Sequence, residues 1–517
     1  MQSVWLNPGV FEPSQQNLQA LAAVLDTSVA QIKRRLAANQ SFVFLRRQVE
    51  PATAQAVLAL GLNGVHAQTE YKRFYPAAEF AAHIVGFTDV EDRGQEGVEL
   101  AFDHILQGQA GQRKVMRNAL GETIKDIGLL KAASSGGQLQ LAIDMNLQYI
   151  AYRELKAAVA EHDARSGSLV ILDVDTGEVL ALVNQPSYNV NDRSQLLPAR
   201  TRNRALIDVF EPGSTVKPFT VAAALEHGDI NPSTVIDTTP GVIRLGNKAI
   251  VDPRDYGKLN VSEVLVKSSQ VGTTKISLGM PAEQLRSMLS RVGFGEYCAT
   301  GFPGEQVGFL PHHRKWQPVQ RAALSYGHGM SVNLMQLARA YAVIAADGVK
   351  RPVSLLKHDA GHAAAGLLGN ADATDKQVER VLEPGIAAEI RRMMVDVVDH
   401  GTGKAAQIPG YSVAGKTGTT HRVGRLGYEE NRYRATFAGM LPANAPRLVV
   451  AVTIDDPRGE KYFGGEIAAP VFARVMQAAV RQMNIAPDRP EQLDIRYAQR
   501  PVAPSAALQT ASAGKAG

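Results

Sequence analysis

A serine and a lysine stand three residues apart in FEPGSTVKPFT, residues 210–220, directly after a Pro-Gly pair. Serine is a weak nucleophile at neutral pH unless a neighbouring group takes its proton. Residues three apart on a helix share a face, so Ser214 and Lys217 would point toward one site. Pro218 fits only if it lies in the first helical turn. The pattern predicts acyl transfer at a helix N-terminus, where backbone N–H groups favour developing negative charge.

The Ser-x-x-Lys pattern is weak evidence alone, because it also occurs at positions 354–357 and 512–515. Two further segments strengthen it: KSSQVGTT at 267–274 and AGKTGTT at 414–420. Ser-x-x-Lys, a Ser-x-Asn-type motif and Lys-Thr-Gly form the set that belongs to penicillin-binding proteins and class A β-lactamases. The combination therefore predicts a serine acyltransferase.

The composition is that of an ordinary globular protein, with 517 residues, 45% of them apolar and 20% charged. A net charge of +5 is too small to argue for nucleic-acid binding. The only cysteine, Cys298, excludes an internal disulfide framework and is expected to be a small packed residue. His312 and His313 lack acidic or cysteine companions and are not metal candidates. The sequence contains no apolar window of about 18 residues and no signal peptide at MQSVWLNPGV, so as written it predicts a soluble chain.

Three regions must position these residues. Residues 1–138 mix helical stretches such as QQNLQALAAVLDTSVAQIKRRLAA with a glycine-punctuated segment, and SSGGQ at 134–138 resembles a linker. Residues 139–487 open with a short strand and a helix that Asp144 could cap, followed by two Val/Leu/Ile runs around Asp-Thr-Gly that predict a hairpin. RATFAGMLP and RLVVAVTIDDP predict further strands and APVFARVMQAAVRQMN a final helix, so one α+β domain would unite distant segments in its sheet. The Ala/Pro/Ser/Gly-rich residues 488–517 predict a disordered tail.

The chain resembles the class B penicillin-binding proteins, specifically the septal, FtsI-type peptidoglycan D,D-transpeptidases of Gram-negative cell division. The resemblance covers nearly the whole chain and rests on SGSLVILDVDTGEVLALVNQPSYN, RNRALIDVFEPGSTVKPF, KSSQVGTTKISL, SYGHGMSVNLMQLARAYA, GYSVAGKTGT, KYFGGEIAAPVF and, near the N-terminus, YKRFYPAAEFAAHIVGFTD with GQEGVE. It implies the penicillin-binding transpeptidase fold: a central antiparallel sheet flanked by helices, an all-helical subdomain, and an N-terminal pedestal or dimerisation-like domain.

The resemblance also implies a role for each motif residue. Ser214 would attack the carbonyl between the two terminal D-alanines of a peptidoglycan stem peptide and hold the acyl group as an ester until the amine of a neighbouring stem attacks. Lys217 would be the general base, with its pKa lowered by burial and by a second cation, Lys416. Ser268 would relay a proton to the leaving amine, and the backbone N–H groups of Ser214 and Thr419 would form the oxyanion hole. The implied substrate-binding residues are Ser269, Gln270, Lys416, Thr417, Gly418 and Thr419, and no metal or cofactor is implied.

The sequence departs from the family pattern at three positions. Gln270 stands where asparagine is usual, and its extra methylene displaces the amide by about one carbon–carbon bond; a misplacement of about an ångström can cost about a hundredfold in rate. A second Ser-x-Asn occurs at 331–333, but SYGHGM beside it matches a different family segment, so we reject it. Asn333 replaces a usual proline and Ala78 a usual glycine, and both changes affect only a loop and a turn.

Several residues also have purely structural interpretations. Ser268 and Ser269 could be polar residues at a helix start, and Thr417 and Thr419 are common strand residues, although alternate positions would face one side. The tyrosine and histidine of SYGHG, Tyr326 and His328, could line the site or serve packing.

Four functions remain open at this point. A working transpeptidase competes with a catalytically weakened penicillin-binding scaffold of the division machinery, because Gln270 could slow turnover. A β-lactamase would need an acidic residue to activate a deacylating water, and none is recognisable. A D,D-carboxypeptidase would differ only in its acceptor.

The resemblance also implies a location and partners. The chain begins inside the pedestal, without the membrane helix and the RGxIxDRxG segment of the family, so either its start is truncated or misplaced, or it is a soluble variant. The implied active site faces the periplasm at the inner membrane. The implied partners are peptidoglycan stem peptides, β-lactam antibiotics, a SEDS-type glycosyltransferase and other division proteins.

Overall fold

A five-stranded antiparallel sheet forms the centre of the larger domain. The computed structural model describes residues 1–37, 42–117, 123–358, 378–424 and 427–493. The strand order in the sheet is β14-β15-β16-β6-β7, with bounds β6 (Ser166–Asp173), β7 (Val179–Gln185), β14 (Ala414–Gly424), β15 (Gly427–Leu441) and β16 (Leu448–Asp455). The pairing of β16 with β6 joins segments nearly 300 residues apart in the chain, with Val452 opposite Leu169. The sheet therefore unites distant segments as predicted.

Helices cover both faces of this sheet. On one face, α7 (Met145–Glu161) and α17 (Gly464–Gln482) pack around Phe437 and Phe472. On the other face lie α15 (Leu334–Ala345) and α16 (Pro384–Asp399), in a core that includes Val170. A helical group packs against this second layer and positions the first two motifs, at 214–217 and 268–270. Its helices are α10 (Lys217–His227), α11 (Val261–Val266), α12 (Gln270–Gly279), α13 (Ala282–Arg291) and α14 (Pro318–Ser325). Cys298 is buried in this core, as predicted.

Short elements complete the domain. These are α8 (Pro198–Thr201), α9 (Arg204–Ile207), β8 (Val235–Asp237), β9 (Val242–Leu245), β10 (Lys248–Val251), β11 (Lys258–Asn260), β12 (Val349–Lys350), β13 (Glu379–Arg380) and the 3-10 turns Arg193–Gln195, Gly213–Val216, Lys404–Ala406 and Pro490–Gln492. Asp144 caps α7 through its side chain, and the Asp-Thr-Gly segment turns between β6 and β7, both as predicted. The strand predicted at 139–143 is wrong, because only a single bridge forms there, between Leu141 and Leu356.

The N-terminal region has a small core of its own. Strands β1 (Gln2–Leu6), β2 (Val43–Val49) and β3 (Val65–Thr69) form a sheet in the order β2-β1-β3, and the other elements are α1 (Gln15–Val24), α2 (Val29–Ala37), α3 (Pro51–Leu58), α4 (Ala82–Val85), α5 (Gly97–Ala101), α6 (Asp103–Leu106), β4 (Gln112–Arg117) and β5 (Thr123–Lys131). The helical stretch at 15–38 divides into α1 and α2 because Asp26 adopts a positive φ of 47° and Ser28 Oγ accepts a hydrogen bond from the Gln31 N–H. Ala78 also has a positive φ, of 38°. Glycine adopts this conformation at no steric cost, which explains why glycine is usual at this position in the family.

The domain boundaries of the chain are less sharp than its composition indicates. Ile84, Val98 and Phe102 belong to the core of the larger domain, so the end of the N-terminal region packs into it. At the other end, the Ser412 N–H donates a hydrogen bond to Asp488, and Arg489 pairs with Asp399 at 2.9 Å. Residues just beyond the predicted boundary at 487 therefore contact the larger domain, and residues 494–517 of the predicted tail lie outside the described residues. Among the helices of the described ranges, none has the length and apolar run needed to cross a bilayer.

Candidate active site

The predicted nucleophile lies in a tight turn at the start of a helix. Residues Gly213–Val216 form a 3-10 turn that continues directly into α10, and Ser214 is half-buried within it. Pro218 occupies the first turn of α10, where a missing N–H costs no hydrogen bond. The local structure thus agrees with the predicted helix start and presents Ser214 at its N-terminus.

Lys217 is fully buried at the first position of α10. Burial lowers its pKa from 10.5 to about 7, although the nearby carboxylate of Asp252 acts in the opposite direction. Its ammonium donates to the backbone carbonyl of Ser268 and lies 3.2 Å from the Ser268 hydroxyl oxygen. A lysine with this pKa is partly neutral at physiological pH and can accept a proton.

Ser268 connects the two lysines. The Nζ atom of Lys416 lies 3.0 Å from Ser268 Oγ and 3.2 Å from the Thr417 carbonyl oxygen. Lys416 is also fully buried, and its pKa falls well below the ordinary value because of burial and the positive charge of Lys217. Ser268 adopts a φ of 55°, a conformation that costs a non-glycine residue about 1–3 kcal/mol and is concentrated at functional sites.

The Lys-Thr-Gly segment lies on β14, an edge strand of the sheet. An edge strand has backbone N–H and C=O groups that no neighbouring strand uses, so it can pair with an extended peptide. Thr417 Oγ1 lies 2.8 Å from Thr402 Oγ1, and Thr419 Oγ1 accepts a hydrogen bond from the Gly464 N–H. Both threonines therefore face the start of α17, which agrees with the predicted alternation.

Gly418 lets the strand approach the nucleophile turn. A Cβ atom at Gly418 would lie 3.0 Å from the Thr215 methyl group and 3.1 Å from the Pro212 carbonyl oxygen. Gly213 has a φ of 56°, and a Cβ there would lie 2.4 Å from the Thr420 methyl group. The absence of side chains at both positions fixes the turn of Ser214 directly against β14.

Sequence reasoning missed Asp252. This buried carboxylate follows β10 and accepts hydrogen bonds from the Ser269 hydroxyl and from the backbone N–H groups of Gln270 and Val271. It neutralises the N-terminus of α12 and orients the loop that presents Ser268. The available signal was an acidic residue after a short strand, in IVDPRDYG, which is too common a pattern to single out.

We expect an Asp252→Asn variant to shift the pH profile of acylation to lower pH. The carboxylate raises the pKa of Lys217, so its removal lets that pKa fall below about 7. The loop also loses charge-assisted hydrogen bonds, and we expect the plateau rate of penicillin acylation to fall about tenfold. The measurement is the second-order acylation rate between pH 5 and 9. The matched control is Asp255→Asn, an exposed acid in the same segment, and an unshifted midpoint in Asp252→Asn would contradict the assignment.

Ser269 and Gln270 occupy different environments. Ser269 is fully buried and is the N-cap of α12, where its Oγ accepts from the Gly272 N–H at 2.8 Å. Its side chain is committed to this cap and does not reach the surface of the site, in line with the structural interpretation. Gln270 begins α12 and lines a cavity of about 420 Å³ together with Tyr326 and His328.

That cavity has an aromatic wall. Tyr326 packs against His328 with ring centroids 5.1 Å apart, and both residues line the cavity. The two residues therefore pack together and also form part of the cavity wall. His421 and Tyr428 continue the wall, with ring centroids 6.4 Å apart. Burial lowers the pKa of His328. The wall offers a polarisable, largely uncharged surface beside the polar catalytic residues.

The remaining matches of the sequence patterns lie elsewhere. Ser354 donates to the Leu356 carbonyl in a loop beside the β6–β7 hairpin, so this Ser-x-x-Lys is structural. The match at 512–515 lies outside the described residues. Asn333 is buried and caps the N-terminus of α15 through its side chain. This structural role explains the asparagine at 333 and agrees with excluding residues 331–333 as the catalytic Ser-x-Asn motif.

Family profiles match almost the whole chain. The profile described as "Penicillin binding protein transpeptidase domain" matches residues 167–477, and "Penicillin-binding Protein dimerisation domain" matches residues 2–141.

Named relatives and a solved structure agree with these profiles. The chain is 40% identical over 489 residues to a probable peptidoglycan D,D-transpeptidase, PbpC, of Pseudomonas aeruginosa, covering 94% of this chain and 84% of that one. It is 41% identical over 473 residues to the peptidoglycan D,D-transpeptidase FtsI of Escherichia coli, covering 91% and 78%. The apo transpeptidase domain of Burkholderia pseudomallei penicillin-binding protein 3 matches with a TM-score of 0.59 at 41% identity, over 68% of this chain and 98% of that domain. The expected fold is thereby confirmed, and the chain belongs to the penicillin-binding protein transpeptidases that carry an N-terminal dimerisation domain.

Proposed function

We propose that this protein is a peptidoglycan D,D-transpeptidase that cross-links stem peptides during septal cell-wall synthesis. The observation that carries this proposal is the convergence of two buried lysines on Ser268 Oγ, at 3.2 and 3.0 Å, beside the turn of Ser214. A serine nucleophile needs a proton acceptor that is neutral near pH 7, and the lowered pKa of Lys217 meets this requirement. The relatives named above, at about 40% identity, support the same reaction.

The residues divide the reaction between them. Lys217 takes the proton of Ser214 as the hydroxyl attacks the D-alanyl-D-alanine carbonyl, and Ser268 returns a proton to the leaving D-alanine amine. Backbone N–H groups of Ser214 and Thr419 stabilise the oxyanion, a contribution worth about 3 kcal/mol per donor. The lysine, glycine and threonines of the β14 motif bind the peptide and its carboxylate: Lys416, Thr417, Gly418 and Thr419. An amine of a second stem peptide then attacks the ester, and β-lactams acylate the same serine.

The substrate sets the location of this reaction. Peptidoglycan lies outside the inner membrane, so the active site works in the periplasm. We further propose that an N-terminal membrane anchor holds the enzyme there, with a SEDS-type glycosyltransferase and other division proteins as partners.

The alternatives make different demands on the site. A β-lactamase needs a carboxylate that activates water, whereas Asp252 already accepts a hydrogen bond from Ser269 and Glu211 already accepts one from Tyr428. A D,D-carboxypeptidase would use the same residues, so only the partition of the acyl group between water and an amine separates it from a transpeptidase. A catalytically weakened scaffold would require that glutamine at position 270, in place of the usual asparagine, slows turnover.

The test is acylation by a fluorescent penicillin combined with a Gln270→Asn variant. We expect the wild-type protein to label rapidly and the variant to change the rate by less than about threefold, because Gln270 faces an open cavity where its side chain can adjust. Transfer of the acyl group from a thioester donor to an added amine, measured beside hydrolysis, separates the transpeptidase from the carboxypeptidase. Slow wild-type labelling that Gln270→Asn raises about a hundredfold would support the weakened scaffold instead.

A further inference from the structure

A second cavity, of about 680 Å³, lies beside the nucleophile turn. Phe210 and Glu211, just before that turn, form one wall, and Thr420 and His421, just after the Lys-Thr-Gly motif, form another. Thr420 Oγ1 donates a hydrogen bond of 3.4 Å to the Glu211 carbonyl and joins the two walls. Glu211 is three residues from Ser214, so their Cα atoms lie within about 11 Å. The cavity is therefore a direct neighbour of the reacting serine.

This cavity, called here the arginine cavity, also adjoins the aromatic-walled cavity that contains Gln270. His421 lines both cavities. Glu211 borders the arginine cavity and accepts a hydrogen bond of 2.9 Å from Tyr428, which lines the other one. The two spaces thus flank the same stretch of β14.

The lining of the arginine cavity is positively charged. Five guanidinium groups face three carboxylates. The arginines are Arg165, Arg202, Arg204, Arg422 and Arg434. The acids are Asp208, Glu211 and Asp455. The RNRALID segment contributes two of the arginines, and neither takes part in the acyl transfer proposed above.

The carboxylates in the lining are already engaged. Asp455 accepts from Arg434 at 2.8 Å and lies 3.3 Å from Arg422, while Asp208 pairs with Arg202. Each guanidinium carries five donors, so these pairings leave donors unused. Arg202 and Arg165 keep 46% and 57% of their side chains exposed. They are the groups most accessible to a bound anion.

Charges of both signs surround Arg204. Its side chain is mostly buried, and burial lowers its pKa. The charges of Asp208 and Asp455 oppose this effect, whereas the neighbouring charges of Arg202 and Arg165 add to it. An anion placed in the cavity would relieve this repulsion between cations.

We propose that the arginine cavity binds the free carboxylates of the acceptor peptide, the stem whose amine receives the acyl group. This inference rests on the proposed transpeptidase function. The donor carboxylate is assigned to Lys416, Thr417 and Thr419, whereas the arginine cavity lies further along β14 and offers a second site for anions. Arginine forks bind planar carboxylates through paired hydrogen bonds, which would fix the orientation of the incoming amine.

The step that this binding serves is an aminolysis. The neutral acceptor nitrogen attacks the ester carbonyl on Ser214 and forms a C–N bond. The C–O bond to Ser214 breaks, and the proton lost by the amine returns to Ser214 Oγ. No oxidant or further reactant is required.

The test compares a double variant, Arg165→Gln with Arg202→Gln, against wild type. The matched control is Arg447→Gln with Arg153→Gln, whose side chains are 50% and 59% exposed and lie outside this cavity. A thioester donor acylates each protein. The acceptor is a peptide amine with two free carboxylates, and the comparison acceptor is the same peptide with both carboxylates amidated.

We expect the double variant to raise the KM for the carboxylate acceptor about tenfold, with kcat and the use of the amidated acceptor unchanged. Calorimetric binding of the carboxylate peptide to unacylated protein should weaken by a similar factor, and the control pair should behave as wild type. If penicillin acylation persists but the double variant has the same KM and the same binding affinity for the carboxylate acceptor as wild type, the inference is overturned. Loss of penicillin acylation in wild type would instead remove the proposed function.

Discussion

A Ser214→Ala variant should lose penicillin labelling, with the acylation rate falling by at least about 10⁴-fold. Alanine removes the hydroxyl that forms the ester, and no neighbouring group can replace a missing nucleophile. The 3-10 turn should persist, because no side-chain hydrogen bond of Ser214 contributes to it in the structure as described. The measurement is fluorescence of the denatured protein after exposure to labelled penicillin, together with the mass of the intact protein.

The matched control is Ser354→Ala, which removes the serine of the second Ser-x-x-Lys pattern. Ser354 lies in a loop beside the β6–β7 hairpin, so this variant should label at the wild-type rate. The free energy of unfolding of Ser214→Ala should stay within about 1 kcal/mol of wild type, as for a substitution that opens no cavity. Retained labelling of Ser214→Ala would place the ester on another residue and refute the assignment of the nucleophile.

Much of the catalytic domain could be predicted because its signals are local. The hairpin of β6 and β7 is encoded by two apolar runs around Asp-Thr-Gly, and the N-cap of α7 by Asp144. The three motifs carry unusual residue combinations, so their chemistry could be inferred from spacing and resemblance before any geometry was known. The convergence of Lys217, Ser268 and Lys416 agrees with that inference.

Features that depend on particular side-chain contacts between segments could not be predicted. Asp252 acquires its role only when the loop after β10 meets the start of α12, and nothing in its local sequence indicates that meeting. Ser269 carries the motif pattern but serves as a buried cap. Asp488 and Arg489 contact the larger domain, for example Arg489 with Asp399, in a segment whose composition predicts disorder.

A Lys217→Met variant should lower the penicillin acylation rate by about 10²–10⁴-fold. Methionine fills a similar volume in the buried site but cannot accept a proton, so the contribution of general-base catalysis is lost. In the wild-type protein only the neutral amine acts as base. Its pKa of about 7 therefore predicts an acylation rate that falls as pH drops through 7, to about 3% of the plateau at pH 5.5. The residual rate of the variant should not titrate near pH 7.

The pH profile separates a base from a residue that only maintains the fold. If Lys217 merely filled space, methionine would preserve the shape of the profile and lower or preserve its height at every pH alike. Lys275→Met is the matched control, because this lysine of α12 donates to the Asp237 carbonyl and lies outside the catalytic set. It should keep both the rate and the midpoint near pH 7. If the residual rate of Lys217→Met still rises through pH 7, another group is responsible for the titration. Lys416 is the next candidate, because burial and the charge of Lys217 lower its pKa, and this pKa would rise once that charge is removed.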